Sequence, residues 1–346
     1  MEDYLDFGSR FNERYSPLSR KILRALSEDS RMPISAISKL LGATRRTVKE
    51  RIARIEKELN VRYTIEFNEE ALGISNPHLI VVRFRKEPNF KAIAETLRKS
   101  YIPQLAVRTK DKRELFIYAN SVTHSEYTRW DKAMQSHVAK YKVFWDSSEV
   151  AHRQLGFFPL RNELIDRLGV PDKYKLMLKL LNSDARMSFQ HISKSLGMHF
   201  NTVAYNFGKL LKLGYIKRFT LVCRPQKEVS LVAIFGKYSL GENFEADASK
   251  IRRVFKNDEE ATAFSRYPII AQLTGAYDFF DVGVFDSLEI GRDKFVDAYK
   301  TLLKRHLAKL QYRELSEVIL GDMPIRSVDD SKAYNTLKWT LDSEDA

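Results

Sequence analysis

Hydrophobic residues follow a helical period in two separate stretches of the chain. Within Ile22–Leu26 the apolar residues lie at i, i+1 and i+4, and Met177–Leu181 repeats that spacing. Such a period places apolar side chains on one face of an amphipathic helix. The pattern therefore predicts a helix with a buried face at the start of each stretch.

Two further helices are predicted after each of these. In the first stretch one helix ends at Gly42, where a positive φ costs little, and the next begins after Thr44 as its N-cap. Its buried stripe runs from Val48 to Leu59, and Val203 begins the corresponding stripe in the second stretch. Two short helices joined by a tight turn with a glycine predict a helix-turn-helix in each stretch.

The two stretches are copies of one pattern at a constant offset of 155 residues. A strand after each copy, at Val61–Phe67 and Tyr215–Cys223, is expected to supply its β-wing. An ungapped match of this length predicts a tandem repeat. The matching segments are Leu23–Met32 with Leu178–Met187, Ile37–Lys39 with Ile192–Lys194, Leu41–Gly42 with Leu196–Gly197, and Thr47–Val48 with Thr202–Val203.

A βαββαβ pattern follows each winged helix-turn-helix, so the fold class is α+β, a tandem repeat of a winged helix-turn-helix and a ferredoxin-like domain. The bare face of each antiparallel sheet must be covered, and we expect the two sheets to pair. The first copy is predicted from Leu79–Phe84, Phe90–Lys99, Leu105–Thr109, Leu115–Ala119, Ser125–Lys140 and Lys142–Trp145. The second is predicted from Ser230–Tyr238, Phe244–Phe255, Ile269–Thr274, Phe279–Phe285, Ser287–His306 and Tyr312–Leu320. The expected domains are a tail at 1–16, the modules 17–73 and 74–160, a linker at 161–171, the modules 172–228 and 229–327, and a tail at 328–346.

The net charge of +13 favours a polyanionic partner, either nucleic acid or an anionic membrane surface. No stretch approaches 18 consecutive apolar residues, which argues against a membrane span. Cys223 is the only cysteine and is interpreted as a structural residue, so a reducing cytoplasm is expected. The seven histidines show no two-ligand spacing, and we predict neither a metal site nor a cofactor.

Basic residues cluster at the start of the first recognition helix, where side chains reach base edges and arginine can bond guanine at two atoms. A solvated basic face is the alternative. The predicted DNA-binding residues here are Thr44, Arg45, Arg46, Thr47, Lys49 and Arg51, with Lys39, Arg54 and Arg62 expected at phosphates.

The second recognition helix is less basic, and its residues leave two interpretations open. Asparagine can contact adenine, and tyrosine or histidine can bond phosphate. The same helix could instead belong to a module that only packs against a partner. The candidate DNA-binding residues are His199, Asn201, Thr202, Tyr205 and Asn206.

The chain resembles the Lrp/AsnC family, the leucine-responsive regulators of bacteria and archaea, and we expect an archaeal source. The resemblance extends from Pro17 to Ile325, twice over. It rests on Ile22–Leu26, Asp29–Arg31, Leu41–Thr44, Thr47–Arg51 and Ile55–Glu56, and in the second copy on Leu213–Ile216 and Thr274–Asp278. It implies a transcriptional regulator that binds double-stranded DNA at the nucleoid. Because family members dimerise through their sheets, two copies imply an internal pseudo-dimer, and a homodimer of whole chains is a further possibility.

The resemblance also implies a small effector, an amino or organic acid, beside Gly275, Tyr277 and Asp278. A bare hairpin turn is the alternative, since glycine is common there. The first copy has Lys110–Arg113 in that place, so we expect sensing to be confined to the second copy.

Two other functions stay open at this point. An architectural chromatin protein would use the same basic helices without strong base preference. Siroheme decarboxylases share this fold in paired copies, but the histidine- and arginine-rich strand that faces the haem there is not evident at Leu105–Ala119, which contains no histidine. There is no glycine-rich phosphate loop and no nucleophile elbow, so an enzyme is not expected.

Overall fold

The computed structural model describes residues 16–74, 77–152, 156–223, 230–239, 271–285, 307–322 and 325–326. The predicted helices Phe244–Phe255 and Ser287–His306 lie outside these residues, as do 1–15 and 328–346.

The first helical unit consists of α1 (Pro17–Glu28), α2 (Ile34–Leu41) and α3 (Arg45–Leu59). Two of their boundaries have a clear local cause. Ser16 caps α1 through its side chain, and Gly42 ends α2 in the left-handed conformation, with φ 62° and ψ 27°. The apolar faces of the three helices meet in one buried cluster that includes Ile22, Ile37 and Val48. This is the predicted helix-turn-helix.

The elements between the two helical units follow in chain order. The strands and helices are β1 (Val61–Phe67), β2 (His78–Phe84), α4 (Phe90–Arg98), β3 (Pro103–Thr109), β4 (Glu114–Ala119), α5 (His124–His137), β5 (Lys142–His152), β6 (Gly156–Phe157) and α6 (Asn162–Ile165). Helix α6 lies within the segment predicted as a linker. Its Leu164 and Ile165 are fully buried, so this segment packs into the protein.

The second helical unit consists of α7 (Asp172–Ser183), α8 (Phe189–Leu196) and α9 (Phe200–Lys212). Gly197 ends α8 with φ 61° and ψ 28°, nearly the values at Gly42. After it come β7 (Ile216–Cys223), β8 (Ser230–Tyr238), β9 (Ala271–Thr274), β10 (Phe279–Phe285), β11 (Leu307–Leu320) and β12 (Ile325–Arg326).

The strands after the two helical units pair with each other. We call the antiparallel pair of β1 and β7 the β-ribbon; Thr64 lies opposite Thr220 at its centre. The prediction of a separate wing on each copy is therefore wrong. A lone strand leaves its backbone hydrogen-bonding groups unpaired, and here each strand satisfies them on the other.

The β-ribbon also exchanges strands between the helical units. Leu221 of β7 packs into the core of the first unit, whereas Ile65 and Phe67 of β1 pack into the core of the second. Backbone hydrogen bonds follow the same exchange, from Ser30 N to Phe219 O and from Ala185 N to Tyr63 O. Each helical core is thus completed by the other unit's strand.

Eight strands form one closed barrel in the order β10-β8-β11-β3-β4-β2-β5-β9, with every neighbouring pair antiparallel. It contains two groups of four strands, β3-β4-β2-β5 and β9-β10-β8-β11, that have the same strand order. We expected pairing of the two bare faces, but the groups join at their edges, β11 to β3 and β5 to β9. Closure removes every open edge from these eight strands and encloses the bare faces around one core.

The barrel interior is apolar at its centre and includes Val81, Phe116, Phe235 and Phe280. On the outside of the first group, α4 and α5 cover the sheet through residues such as Leu97 and Trp130. Strand β2 is consequently buried on both faces. The short pair of β6 and β12 lies beside the barrel strands as a separate two-stranded sheet.

Candidate nucleic-acid interface

Helix α3 presents its first turns to solvent. Thr44 caps the helix, because its Oγ1 accepts a hydrogen bond of 3.1 Å from Thr47 N. Arg45, Arg46 and Lys49 are exposed, while Val48 faces the core. The structure thus brings three of the predicted basic residues together on one accessible surface.

The Arg46 side chain is 89% exposed. Its Nε donates to Glu50 Oε1 at 2.9 Å, one helical turn on. An exposed pair of this kind contributes little to stability, and exchanging the carboxylate for a base edge costs correspondingly little. The arrangement leaves the guanidinium free to engage guanine or phosphate oxygens.

Of the other basic residues predicted for the first unit, Arg51 is partly buried and Arg54 is exposed farther along α3. Arg62 does not fit its predicted role. Its guanidinium donates to the Asn182 carbonyl and forms a salt bridge with Asp322, with the arginine side chain 24% exposed. A phosphate would have to displace both partners, so we assign Arg62 to the structure and not to DNA contact.

Helix α9 presents a different surface at the equivalent positions. His199 caps it, since its Nδ1 accepts a hydrogen bond of 3.3 Å from Asn201 N. The predicted DNA-contacting residues Asn201, Thr202 and Tyr205 are exposed and therefore accessible to a partner. The Lys209 ammonium lies 4.6 Å from the centre of the Tyr205 ring.

Asn206 was also predicted as a candidate, but it is 2% exposed and cannot reach a base. At the offset of 155 it corresponds to Arg51, and both lie toward the core side of their helices. The spacing was the available signal, because Asn206 is three residues after Val203 and four before Leu210, both buried, and residues so spaced lie on one face of a helix.

Two arginines that the sequence analysis passed over connect the helical units. Arg31 donates from Nη1 to the carbonyls of Ala185 (2.6 Å) and Met187 (3.2 Å). Arg186, its equivalent at the offset of 155, donates from Nε to the Ser30 carbonyl at 2.6 Å. These reciprocal contacts join the two helical units at the turns that precede α2 and α8. The repeat of Asp29–Arg31 at Asp184–Arg186 was the available signal.

Their surroundings differ. The Arg31 guanidinium lies 5.2 to 5.5 Å from the ring centres of Phe189, Phe207 and Phe219. Burial lowers the pKa of Arg31, and the neighbouring carboxylates oppose that effect. Arg186 stacks 3.8 Å from the ring centre of Tyr63 and pairs with Glu56.

The turn predicted to hold an effector lies where β5 and β9 meet. A Cβ at Gly275 would collide with Ser148 of β5, so the glycine is needed for this close approach. Ala276 N donates to Asp146 Oδ1 at 3.3 Å, and Asp278 N donates to the Gly236 carbonyl at 2.8 Å. The turn therefore joins the two sheet groups.

Tyr277 belongs to the barrel core, where it is 1% exposed and its hydroxyl donates to Gln311 Oε1 at 3.1 Å. Burial raises the pKa of Tyr277. The turn at Lys110–Arg113 is occupied by other contacts: Lys110 pairs with Glu314, and Asp111 accepts hydrogen bonds from Thr109 Oγ1 and Arg113 N. Packing thus accounts for the glycine and the tyrosine, while Asp278 is partly exposed.

Within the described ranges, no group of three or more histidine, cysteine, aspartate or glutamate side chains is arranged to hold a metal ion. A membrane-spanning helix is likewise not found among the residues that have been placed. The acidic and basic groups of the described core are instead paired, as Glu114 is with Arg83 and Arg313.

Comparison with known proteins places the interface in context. An AsnC-type helix-turn-helix domain matches residues 17–56. An uncharacterised HTH-type transcriptional regulator of Pyrococcus horikoshii is 29% identical over 123 residues, which are 34% of this chain and 70% of that protein. The HTH-type transcriptional regulator LrpA of Pyrococcus abyssi is 33% identical over 92 residues, 26% of this chain and 64% of its own length. The siroheme decarboxylase NirDL shares the fold, with a TM-score of 0.55 and 11% identity over 95% of this chain and 100% of that one.

Proposed function

We propose, on the premise that this chain is a DNA-binding transcriptional regulator of the Lrp/AsnC family, that helix α3 is its principal base-contacting element. The observation that supports this is the exposed cluster of Arg45, Arg46 and Lys49 on the first turns of α3, within the segment that matches an AsnC-type helix-turn-helix. Those turns are the part of a recognition helix that enters the major groove. Thr44 and Thr47 lie beside the cluster and would contact phosphates.

We further propose that the two helical units and the two sheet groups form a tandem repeat whose halves act as an internal pseudo-dimer. The offset of 155, the matching caps at Gly42 and Gly197, and the reciprocal contacts across the β-ribbon support it. The second unit, with His199, Asn201, Thr202 and Tyr205 exposed, then contacts DNA with fewer charges. The proposed place of action is the chromosome in the cytoplasm.

Replacing Arg46 with alanine tests the principal assignment. On a duplex selected from random sequence by the purified protein, Arg46→Ala should lose about 1–3 kcal/mol of binding free energy and relax its base preference. Binding is measured by fluorescence anisotropy on the selected and a random duplex. Lys57→Ala is the matched control, because Lys57 is exposed in the last turn of the same helix, away from the proposed groove contact.

A salt titration of the same complexes separates a regulator from an architectural chromatin protein. Phosphate contacts give a steep dependence on salt for every duplex, whereas base contacts add affinity for the selected duplex alone. Equal affinity for both duplexes at every salt concentration would favour the architectural function. An unchanged affinity and preference in Arg46→Ala would remove that residue from the interface.

Effector sensing is a second part of the proposal, and its support is the partly exposed Asp278 at the junction of the sheet groups. If an amino or organic acid binds there, it should raise the melting temperature of the whole chain by mass action. Asp278→Ala should abolish this rise, and Arg113→Ala, at the corresponding turn of the first copy, should retain it. A panel of amino acids that leaves the melting temperature unchanged at saturating concentration would argue against sensing.

The whole-chain similarity to a siroheme decarboxylase motivates one alternative, an enzyme acting on a tetrapyrrole. At 11% identity it concerns the fold, and the matched regulators support DNA binding instead. Titration with iron-uroporphyrin distinguishes the two. A saturable change in its visible absorption spectrum would favour the enzyme, whereas we expect an unaltered spectrum together with selective DNA binding.

A further inference from the structure

The two recognition helices are chemically unlike at the positions that face outward. At the offset of 155, Arg45 corresponds to Phe200, Arg46 to Asn201, Lys49 to Ala204 and Glu50 to Tyr205. The four residues of α3 in these pairs are all exposed. In α9, Phe200, Asn201 and Tyr205 are exposed, whereas Ala204 is partly buried. At these positions the first helix therefore presents three cations, whereas the second presents two aromatic rings and the uncharged amide of Asn201.

Phe200 is the most unusual of these residues, because it places a phenyl ring at the first position of the helix and the residue is 47% exposed. Phe200 does not face the core, whereas Val203, three residues later, does and is fully buried. The ring is held by an edge contact with Phe189, whose ring centre lies 6.1 Å away. Phe200 thus projects a fixed apolar surface at the place where Arg45 projects a charge.

The major groove has one apolar group at its base edges, the C5-methyl group of thymine. An arginine at the first helical position can bond guanine, but a phenyl ring has neither donor nor acceptor for a base edge. It can contact the thymine methyl, which removes apolar surface of both groups from water. Ala204, one turn along, leaves room for the groove to approach.

We propose that Phe200 is a specificity-determining residue that contacts a thymine methyl group in the half-site bound by the second helical unit. This rests on the proposed DNA-binding function. The two halves of one chain then recognise different bases by different chemistry, charged hydrogen bonding at Arg45 and apolar contact at Phe200.

A methyl scan tests the contact directly. In the duplex selected by the full-length protein, each thymine is replaced singly by deoxyuridine, which differs only in lacking the methyl group. At one or two positions the dissociation constant of the unmodified protein should rise about fourfold, the factor expected for one buried methyl group. These positions should lie outside the half whose protection depends on Arg46.

The variants Phe200→Ala and Phe200→Leu complete the test. Phe200→Ala should bind the thymine and deoxyuridine duplexes equally, and Phe200→Leu should keep part of the difference because it keeps an apolar side chain. Arg45→Ala, the matched control at the corresponding position, should bind more weakly but retain the full difference at those thymines. Melting temperatures of the variants establish that each is folded.

Two results would overturn the inference. One is a selected duplex to which the protein binds with the same affinity whichever thymine is replaced, and the other is a methyl effect that persists in Phe200→Ala. Both leave selective DNA binding intact. A protein that binds selected and random duplexes alike would instead contradict the proposed function itself.

Discussion

Arg31 is a single side chain that connects the two helical units. Its two hydrogen bonds end on carbonyls of the turn that leads into α8, and its guanidinium is surrounded by three phenylalanine rings. Charged donors bound to backbone carbonyls and stacked on aromatic rings are worth more than neutral contacts. The residue therefore connects the turn of one unit with the core of the other.

Arg31→Ala should lower the free energy of unfolding by roughly 2–4 kcal/mol, because it leaves the carbonyls of Ala185 and Met187 without their donor and the rings without the cation. Denaturant unfolding measures the loss. Lys39→Ala, an exposed cation on α2, should change stability by less than about 0.5 kcal/mol.

Arg31→Ala should also weaken the dependence of DNA binding on the spacing between the two half-sites. One base pair inserted between the two halves of the selected duplex should reduce binding by the unmodified protein strongly, and by Arg31→Ala less. Equal stability of Arg31→Ala and the parent protein would show that the contacts across the units contribute nothing to holding them together.

At the scale of elements, periodicity predicted where helices and strands lie, but not which strand pairs with which. Three strands of the first sheet group form within two residues of their predicted bounds, and the predicted apolar stripes of both units lie on helices. Strand β5 was predicted at Lys142–Trp145 but continues to His152. Val61–Phe67 was expected to fold onto its own unit, yet it pairs with β7, about 150 residues away. Alternation marks a half-buried strand and contains no information on the partner that satisfies its hydrogen bonds.

The barrel illustrates the same limit. Burial of a bare sheet face was predictable from the apolar residues of β2 and β4, and that face is buried. What covers that face was not predictable, because stacking two sheets and closing them into a barrel bury similar residues. The lengths of β5 and β11 were the remaining signal, since each extends beyond its own group to reach the other.

For the candidate site, the sequence identified the exposed arginines of α3 but also selected Arg62 and Asn206, which face inward. Charge and residue type do not distinguish a solvent-facing arginine from one that forms a partly buried ion pair, as Arg62 does with Asp322, 260 residues away.

At the scale of the molecule, one chain presents two helices with unlike exposed surfaces, α3 and α9, which we propose to contact DNA. The exchanged strands of the β-ribbon and the closed barrel fix the two halves relative to each other. In a symmetric dimer identical helices favour near-palindromic sites. Here the exposed first turns of α3 are basic and those of α9 are uncharged, which favours an asymmetric site.

We therefore predict that a single chain occupies one asymmetric site, with the stronger protection in the half contacted by Arg45 and Arg46. Sedimentation of the complex gives the number of chains, and footprinting on the selected duplex gives the pattern. Arg46→Ala should reduce protection in that half alone. A symmetric footprint bound by two chains, with equal losses in both halves, would instead indicate a homodimer with a two-fold axis.

Closure of the barrel also constrains how the protein is made. Strands β3 and β5 are complete once residue 152 has been synthesised, but their outer partners, β11 and β9, come more than a hundred residues later. Until then the nascent first half has two unpaired strand edges, which readily pair with the edges of other chains. Translation of the second half is thus the step that protects the first from aggregation, and a ribosome stalled between the halves would leave a chain with both edges open.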